Sequence, residues 1–175
     1  LKVGHALDQK TQIGPVVSPE QLEQNLTYIK IGQAEHAELL CGGTTLELPT
    51  KGHFMAPAVF SSTKNNMRIN QEEMFAPITS VIKVSTYEEA LSCANDSEFG
   101  LTAAIMTKSL ARANHFKSHM RAGCVMVNLP TAGTDYHVPF GGRGASSYGP
   151  REQGHLAQEF YTTVKTAYIG CGSPE

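Results

Sequence analysis

Apolar positions fall in short clusters, separated by turns rich in Gly, Pro, Ser and Asn, and their spacing alternates between two periods. Residues 3–17 show no clean period and read as an irregular entry segment. Ser18-Pro19-Glu20-Gln21 is a helix start: the Ser18 hydroxyl can cap the Gln21 amide, proline fits the first helical position, and the Gln21 side chain can bond back. Leu22, Leu26, Ile29 and Leu40 then mark one stripe, which predicts a helix to about Leu40, ended by Cys41-Gly42-Gly43. Phe54 to Phe60 and Ser80 to Val84 predict short strands. Ser85 to Glu89 opens a second helix with Ala90, Leu91 and Ala94 inward, followed by a strand from Thr102 to Met106. Ser109 opens a third helix with Leu110, Ala113, Phe116 and Met120 inward, and Cys124 to Asn128 reads as a buried strand. From Ile78 the order is strand, helix, strand, helix, strand, which predicts an α/β fold: a parallel sheet covered by helices. Pro150 to Phe160 predicts a short helix. Thr162 to Ile169 (TTVKTAYI) predicts a terminal strand able to pair outside this chain.

Bulk properties narrow the class. A chain of 175 residues suits one domain, and 41% hydrophobic with 17% charged residues is ordinary for a globular protein. Fourteen basic against sixteen acidic residues leave a net charge of -2 with no basic stripe, which argues against nucleic acid. The apolar runs are far short of the roughly 20 residues that a membrane helix needs. Cys41, Cys93, Cys124 and Cys171 have no metal-type spacing and read as reduced thiols of a cytosolic protein. The absence of an initiator Met reads as a piece of a longer chain.

Two stretches stand out chemically. In Asn70-Gln71-Glu72-Glu73-Met74-Phe75-Ala76-Pro77, Asn70 can act as a helix cap with Glu73 three residues on, and Pro77 stops the turn. The same geometry would let Glu73 accept hydrogen bonds from sugar hydroxyls while Phe75 packs on a planar ring. The second stretch, Asn128 to Gly154, is dense in glycine and small polar residues. Phe140-Gly141-Gly142-Arg143 lacks both phosphate-loop spacings and reads as a tight turn needing positive φ at Gly141 or Gly142. His137, beside Tyr136 and near Asp135, reads as a ligand for a substrate carboxylate or as a hydrogen-bond hub. His115 and His119 lack the glutamate and third ligand of a zinc site and read as a solvated pair. There is no GxSxG, and no cysteine carries an activating neighbour. These residues can bind and position, but none is placed to attack.

Together the phrases Ile13-Gly14-Pro15-Val16-Val17, Gly52 to Phe60, Glu72 to Pro77, Asn95 to Leu101, Pro139 to Gly142 and Arg151 to Gly154 resemble, in order, the C-terminal part of the aldehyde dehydrogenase superfamily. NLPTAGTDYHVPFGGR and REQG…QEFYTTVKTAY look most like its α-ketoglutarate semialdehyde (2,5-dioxopentanoate) dehydrogenases. The resemblance implies the C-terminal part of a catalytic domain over 1–160 and an oligomerisation strand and tail over 161–175. It implies that Glu73 holds the nicotinamide ribose of NAD or NADP and that Phe75 packs beside it. It implies that Asn128 fixes the start of a pocket loop, that Thr131 and Phe140 line the aldehyde pocket, and that His137 and Arg143 either pair with a carboxylate at the far end of a semialdehyde or serve the fold. It also implies that the nucleophilic cysteine, general-base glutamate, oxyanion asparagine and dinucleotide-binding domain all precede Leu1, so no catalytic residue is expected here. The chain alone would then be inactive, would need the missing N-terminal portion as partner, and would form homo-oligomers. Two departures mark the chain: Gly144 stands where the phrase has lysine, and one residue is inserted near Pro150. A stand-alone binding or assembly module that keeps the fold without the chemistry is the rival reading.

Overall fold

A computed structural model describes residues 1–172. The chain divides into two compact units, Leu1–Asp96 and Ser97 onward, rather than the single domain its length suggests.

In the first unit, α1 (Pro19–Ala34) starts as the sequence predicts, with the Ser18 hydroxyl accepting from the Gln21 N–H at 3.2 Å. It stops well before Leu40. His36 takes a left-handed conformation (φ 67°), with the Ala37 N–H bonded to the Gly32 carbonyl at 2.9 Å and the His36 N–H to that of Gln33 at 3.0 Å. That is a Schellman closure built without glycine, so composition gives no stop signal. Leu40 lies instead, exposed, in β1 (Glu38–Cys41).

The predicted strand from Phe54 to Phe60 is two strands, β3 (Phe54–Met55) and β4 (Ala58–Ser61). Ala56 and Pro57 separate them, and Pro57 has no N–H to give a ladder. β3 pairs with β2 (Thr45–Leu46). β4 is the centre of a mixed sheet, antiparallel to β1 and parallel to β5 (Ile78–Ser80). Strand β5 begins earlier than its pattern suggested. Ile29, Met55, Ala58, Phe60, Met67 and Ile69 form much of the core between α1 and this sheet. Between β4 and β5 lies the short helix α2 (Arg68–Gln71). The unit ends with α3 (Tyr87–Asn95), where Thr86 caps the Glu89 N–H at 3.1 Å and the Glu89 carboxylate accepts from the Ser85 N–H at 2.7 Å. Ala90 and Leu91 are half-buried, whereas Ala94 is exposed.

In the second unit, β6 (Phe99–Gly100) pairs antiparallel with β9 (Arg143–Gly144), and β7 (Thr102–Ile105) pairs parallel with β8 (Cys124–Val127). Helix α4 (Leu110–His119) makes the crossover, capped by the Ser109 hydroxyl on the Arg112 N–H at 3.3 Å. Phe116 and Met120 are its buried residues. Leu110, one position past the cap, is exposed, contrary to the stripe. Each unit holds a parallel pair, β4 with β5 in the first and β7 with β8 in the second. A 3-10 turn (Gly154–Leu156) leads into α5 (Ala157–Tyr161). Residues 162–169 form no strand and their side chains are exposed. A β-like pattern expresses a preference, but a ladder needs a partner edge. Among the described residues no helix is long and apolar enough to cross a membrane.

Candidate functional site

Helix α1 has a second stripe, made of polar residues. Gln21, Gln24, Asn25 and Tyr28 fall at helical spacings of three and four, which places them on one face. That face holds the acidic-aromatic turn. The Tyr28 hydroxyl donates to Glu72 Oε2 at 2.8 Å, and Arg68 clamps the same carboxylate through Nε at 2.7 Å and Nη2 at 3.0 Å. Two residues on, the Met74 carbonyl accepts from Gln21 Nε2 at 3.2 Å and from Gln24 Nε2 at 3.4 Å. Glu72 and Met74 are thus anchored, and the alternate residues, Glu73 and Phe75, are left exposed.

Phe75 is 79% exposed and sits at φ 55°, a left-handed conformation that is costly for a bulky side chain. Phe75 and Pro77 line a cavity of about 530 Å³ whose other walls include Ile13, Pro15, Val16 and Asn25. The Arg68 and then the Tyr28 hydrogen bonds hold the Glu72 carboxyl below its ordinary range, and the bond to Glu72 holds the Tyr28 phenol above its own.

Asn70 does not cap this turn. Helix α2 lies before it, and the Glu35 carboxylate, distant in sequence, accepts from the Arg68 N–H at 3.0 and 3.2 Å. The Asn70 side chain instead donates to the Lys64 carbonyl at 2.8 Å and accepts from the Ser80 hydroxyl. The Gln21 side chain likewise does not bond back to its own helix start. It is committed to Asn25 and Met74.

In the second unit, Asn128 fixes the start of the glycine-rich loop. It sits at φ 57°, and its side chain bonds both the N–H of Thr107 (2.8 Å) and its carbonyl (2.9 Å). The loop walls a cavity of about 440 Å³ lined by Cys124, Met126, Leu129, Pro130, Val138 and Phe140 among others. Phe140 is set in that wall by a bridge to Glu152, with N–H···O distances of 2.8 and 3.1 Å. Thr131 is exposed between the lining residues Pro130 and Ala132.

His137 and Arg143 are not brought into this cavity. His137 Nδ1 lies 2.8 Å from Asp135 Oδ1, and His137 lines a separate cavity with Tyr136, Gln153, His155 and Tyr161. Arg143 is exposed in β9, opposite Gly100, with no carboxylate partner among the described residues.

The glycines differ from the expected tight turn. At Gly141 the backbone is near-extended (φ 158°), and a Cβ there would meet Arg151 Nη1 at 2.8 Å, so room for the arginine is the constraint. Gly144 has positive φ (57°), like Gly133, Gly149 and Gly154, and a Cβ at Gly144 would lie 2.2 Å from the Glu98 carbonyl oxygen. No side chain, lysine included, fits that backbone.

The remaining candidates stay quiet. His115 and His119 stack at 3.9 Å, and no group of three metal-ligating side chains occurs among the described residues. Burial pushes the Cys93 thiol up, and Cys124 Sγ donates weakly to the Gly141 carbonyl at 3.8 Å, neither being the setting of a nucleophile. The site can bind and position.

A family profile described as "Aldehyde dehydrogenase family" matches residues 1–167. The chain is 40% identical over 171 residues to an alpha-ketoglutaric semialdehyde dehydrogenase of Bacillus subtilis (strain 168), covering 97% of this chain and 35% of that protein. It is 44% identical to an alpha-ketoglutarate semialdehyde dehydrogenase of Haloferax volcanii, covering 96% and 35%. It is also 40% identical to a betaine aldehyde dehydrogenase of Brucella melitensis biotype 2, covering 98% and 35%. A crystal structure of a Mycobacterium tuberculosis aldehyde dehydrogenase complexed with NAD+ superposes with a TM-score of 0.88 at 35% identity, covering 100% of this chain and 36% of that one. The fold is therefore the α/β fold of these enzymes, and the chain spans about a third of their length.

Proposed function

Because the chain belongs to the aldehyde dehydrogenase family, we propose that it is the C-terminal part of an NAD(P)-dependent enzyme that oxidises α-ketoglutarate semialdehyde to α-ketoglutarate. The observation that carries this reading is the way α1 and α2 present Glu73 and Phe75. An exposed carboxylate and an exposed ring, two residues apart on an anchored turn beside an apolar cavity, fit a sugar bearing a planar heterocycle.

The cofactor, when bound, supplies the hydride acceptor. Glu73 accepts the ribose hydroxyls and so fixes one end of the riboside. Phe75 packs on the ring and limits its swing. Phe140 walls the aldehyde pocket and keeps water from that side. Positioning of this kind carries a large share of rate even where no bond is made or broken by the residues themselves. The 175 residues alone have no dehydrogenase activity, since the reading places the nucleophile and the general base in the N-terminal portion.

Removing a hydrogen bond to a charged group costs about 1.5–3 kcal/mol, or roughly tenfold and more in affinity. Glu73→Gln in the complete enzyme is therefore expected to raise the cofactor KM about tenfold, and Phe75→Ala, which removes ring packing, to raise it too, with slower hydride transfer in single-turnover stopped flow for both. Unchanged cofactor KM in both variants would sink the assignment. Cofactor reduction by the purified 1–175 chain above a blank would sink the claim of inactivity.

A further inference from the structure

We propose that Asn25 is a positioning residue for the turn bearing Glu73 and Phe75, acting through Gln21. The proposal rests on the cofactor reading above. Asn25 is 0% exposed and, with Ile29 and Gly32, one of the buried residues of α1. Its Oδ1 accepts from Gln21 Nε2 at 2.8 Å, and the same Nε2 donates to the Met74 carbonyl at 3.2 Å.

The direction of this chain is fixed by chemistry. A backbone carbonyl only accepts, so Gln21 must present its NH2 to Met74. That NH2 has two hydrogens, and the second one must find an acceptor, which makes Asn25 present Oδ1. Flipping either amide would set oxygen against oxygen or NH2 against NH2. Both Gln21 hydrogens are thereby committed, and the side chain is held from two sides.

What Asn25 gives the fold is otherwise unfavourable. Its Nδ2 is buried without a hydrogen-bond partner among the described residues. A buried, half-satisfied amide in an apolar core is destabilising, so its one favourable bond is the one that orients Gln21. The consequence is local. Glu72 has its own anchors in Tyr28 and Arg68. The Met74 carbonyl depends on Gln21 and on the longer 3.4 Å bond from Gln24. Phe75 follows directly at φ 55°, a conformation that persists only where its neighbours are held.

The experiment has two arms. Hydrogen–deuterium exchange on the 175-residue chain compares the native protein with Asn25→Leu and with Gln21→Met, a half-buried site that tolerates the change. Both variants are expected to speed exchange of the peptide spanning 72–77 by about fivefold, the loss of one net hydrogen bond, with the β4 peptide unchanged. In the complete enzyme, each variant is expected to raise the KM for NAD+ or NADP+, whichever supports turnover, by a similar factor. The Asn25→Leu/Gln21→Met double variant should be no worse than Gln21→Met alone, because the two act in series. Unchanged exchange over 72–77 in Gln21→Met, exchange raised equally across α1 and β4, or multiplying effects in the double variant would each overturn the proposal. Glu73→Gln keeps the two readings apart. If it and Phe75→Ala both leave cofactor KM unchanged, the cofactor reading fails, while the exchange arm still reports whether Asn25 sets the turn.

Discussion

At the residue scale, the sequence separates residues whose chemistry is written in their type from residues whose chemistry depends on a distant neighbour. Glu73 and Phe75 were singled out by the resemblance, whereas their spacing alone reads as a helix cap, and the structure leaves both side chains exposed. Asn25 was not, because polar residues along one helix face read as a solvated face, and its partners lie at Gln21 and, through it, Met74. Asn70 was misread for the converse reason: its spacing suits a cap, but Glu35 caps α2 from another element. His137 and Arg143 read alike in sequence as carboxylate ligands, and the structure distinguishes them. His137 already faces the Asp135 carboxylate at 2.8 Å, which would repel a second anion. Arg143 is exposed with no carboxylate partner among the described residues. Although neither lines the Phe140 cavity, on the proposed function Arg143 is the one left open to a substrate carboxylate. Arg143→Gln in the complete enzyme is accordingly expected to lower kcat/KM for α-ketoglutarate semialdehyde several-fold relative to a neutral aldehyde of similar length, about 1 kcal/mol for an exposed charge contact, with His137→Gln close to native. Equal losses on both aldehydes, or selectivity lost in His137→Gln alone, would reverse the assignment.

At the element scale, helix starts were readable because a serine or threonine cap acts on an amide three residues away. Ser18, Thr86 and Ser109 all do so. The end of α1 was not readable, since a left-handed His36 does the work usually left to glycine. The unread polar face of α1 makes a pH prediction. Glu72 is held below its ordinary 4.5 by Arg68 first and Tyr28 second, so its anchor is fully present above 4.5 and is lost as pH falls through the lowered value. Tyr28 is held above its ordinary 10.0 by its bond to Glu72, so on that side the anchor is present below 10.0 and is lost as pH rises through the raised value. Carboxyl carbon shifts of Glu72, followed by NMR titration, should show a midpoint under 4.5 in the native chain that moves back up in Arg68→Met. A native midpoint at or above 4.5 would mean that the clamp is not formed in solution.

At the scale of the whole molecule, many large apolar side chains are exposed, and several lie together near the end of the described chain. Tyr161, Val164, Tyr168 and Ile169 follow one another along an unpaired terminal segment, with Val164 97% exposed. The alternating TTVKTAYI pattern favours a strand, yet among the described residues no strand pairs with it. An unpaired segment of high strand preference, with exposed apolar side chains, favours pairing with an equivalent segment or burial against another surface. Composition and pattern made this preference readable, while the absence of a partner edge could be learned only from the structure. Sedimentation velocity of the 175-residue chain is therefore expected to show dimers or larger species whose proportion rises with concentration. A version ending at Tyr161 should shift toward monomer and keep its melting temperature within a few degrees, because residues 162–169 contribute no buried side chain to either unit. A native chain that sediments as monomer at every concentration would remove the association claim. Association that survives truncation would move the contact away from the terminal segment to the other exposed apolar residues, Leu7, Val17 and Met106 among them.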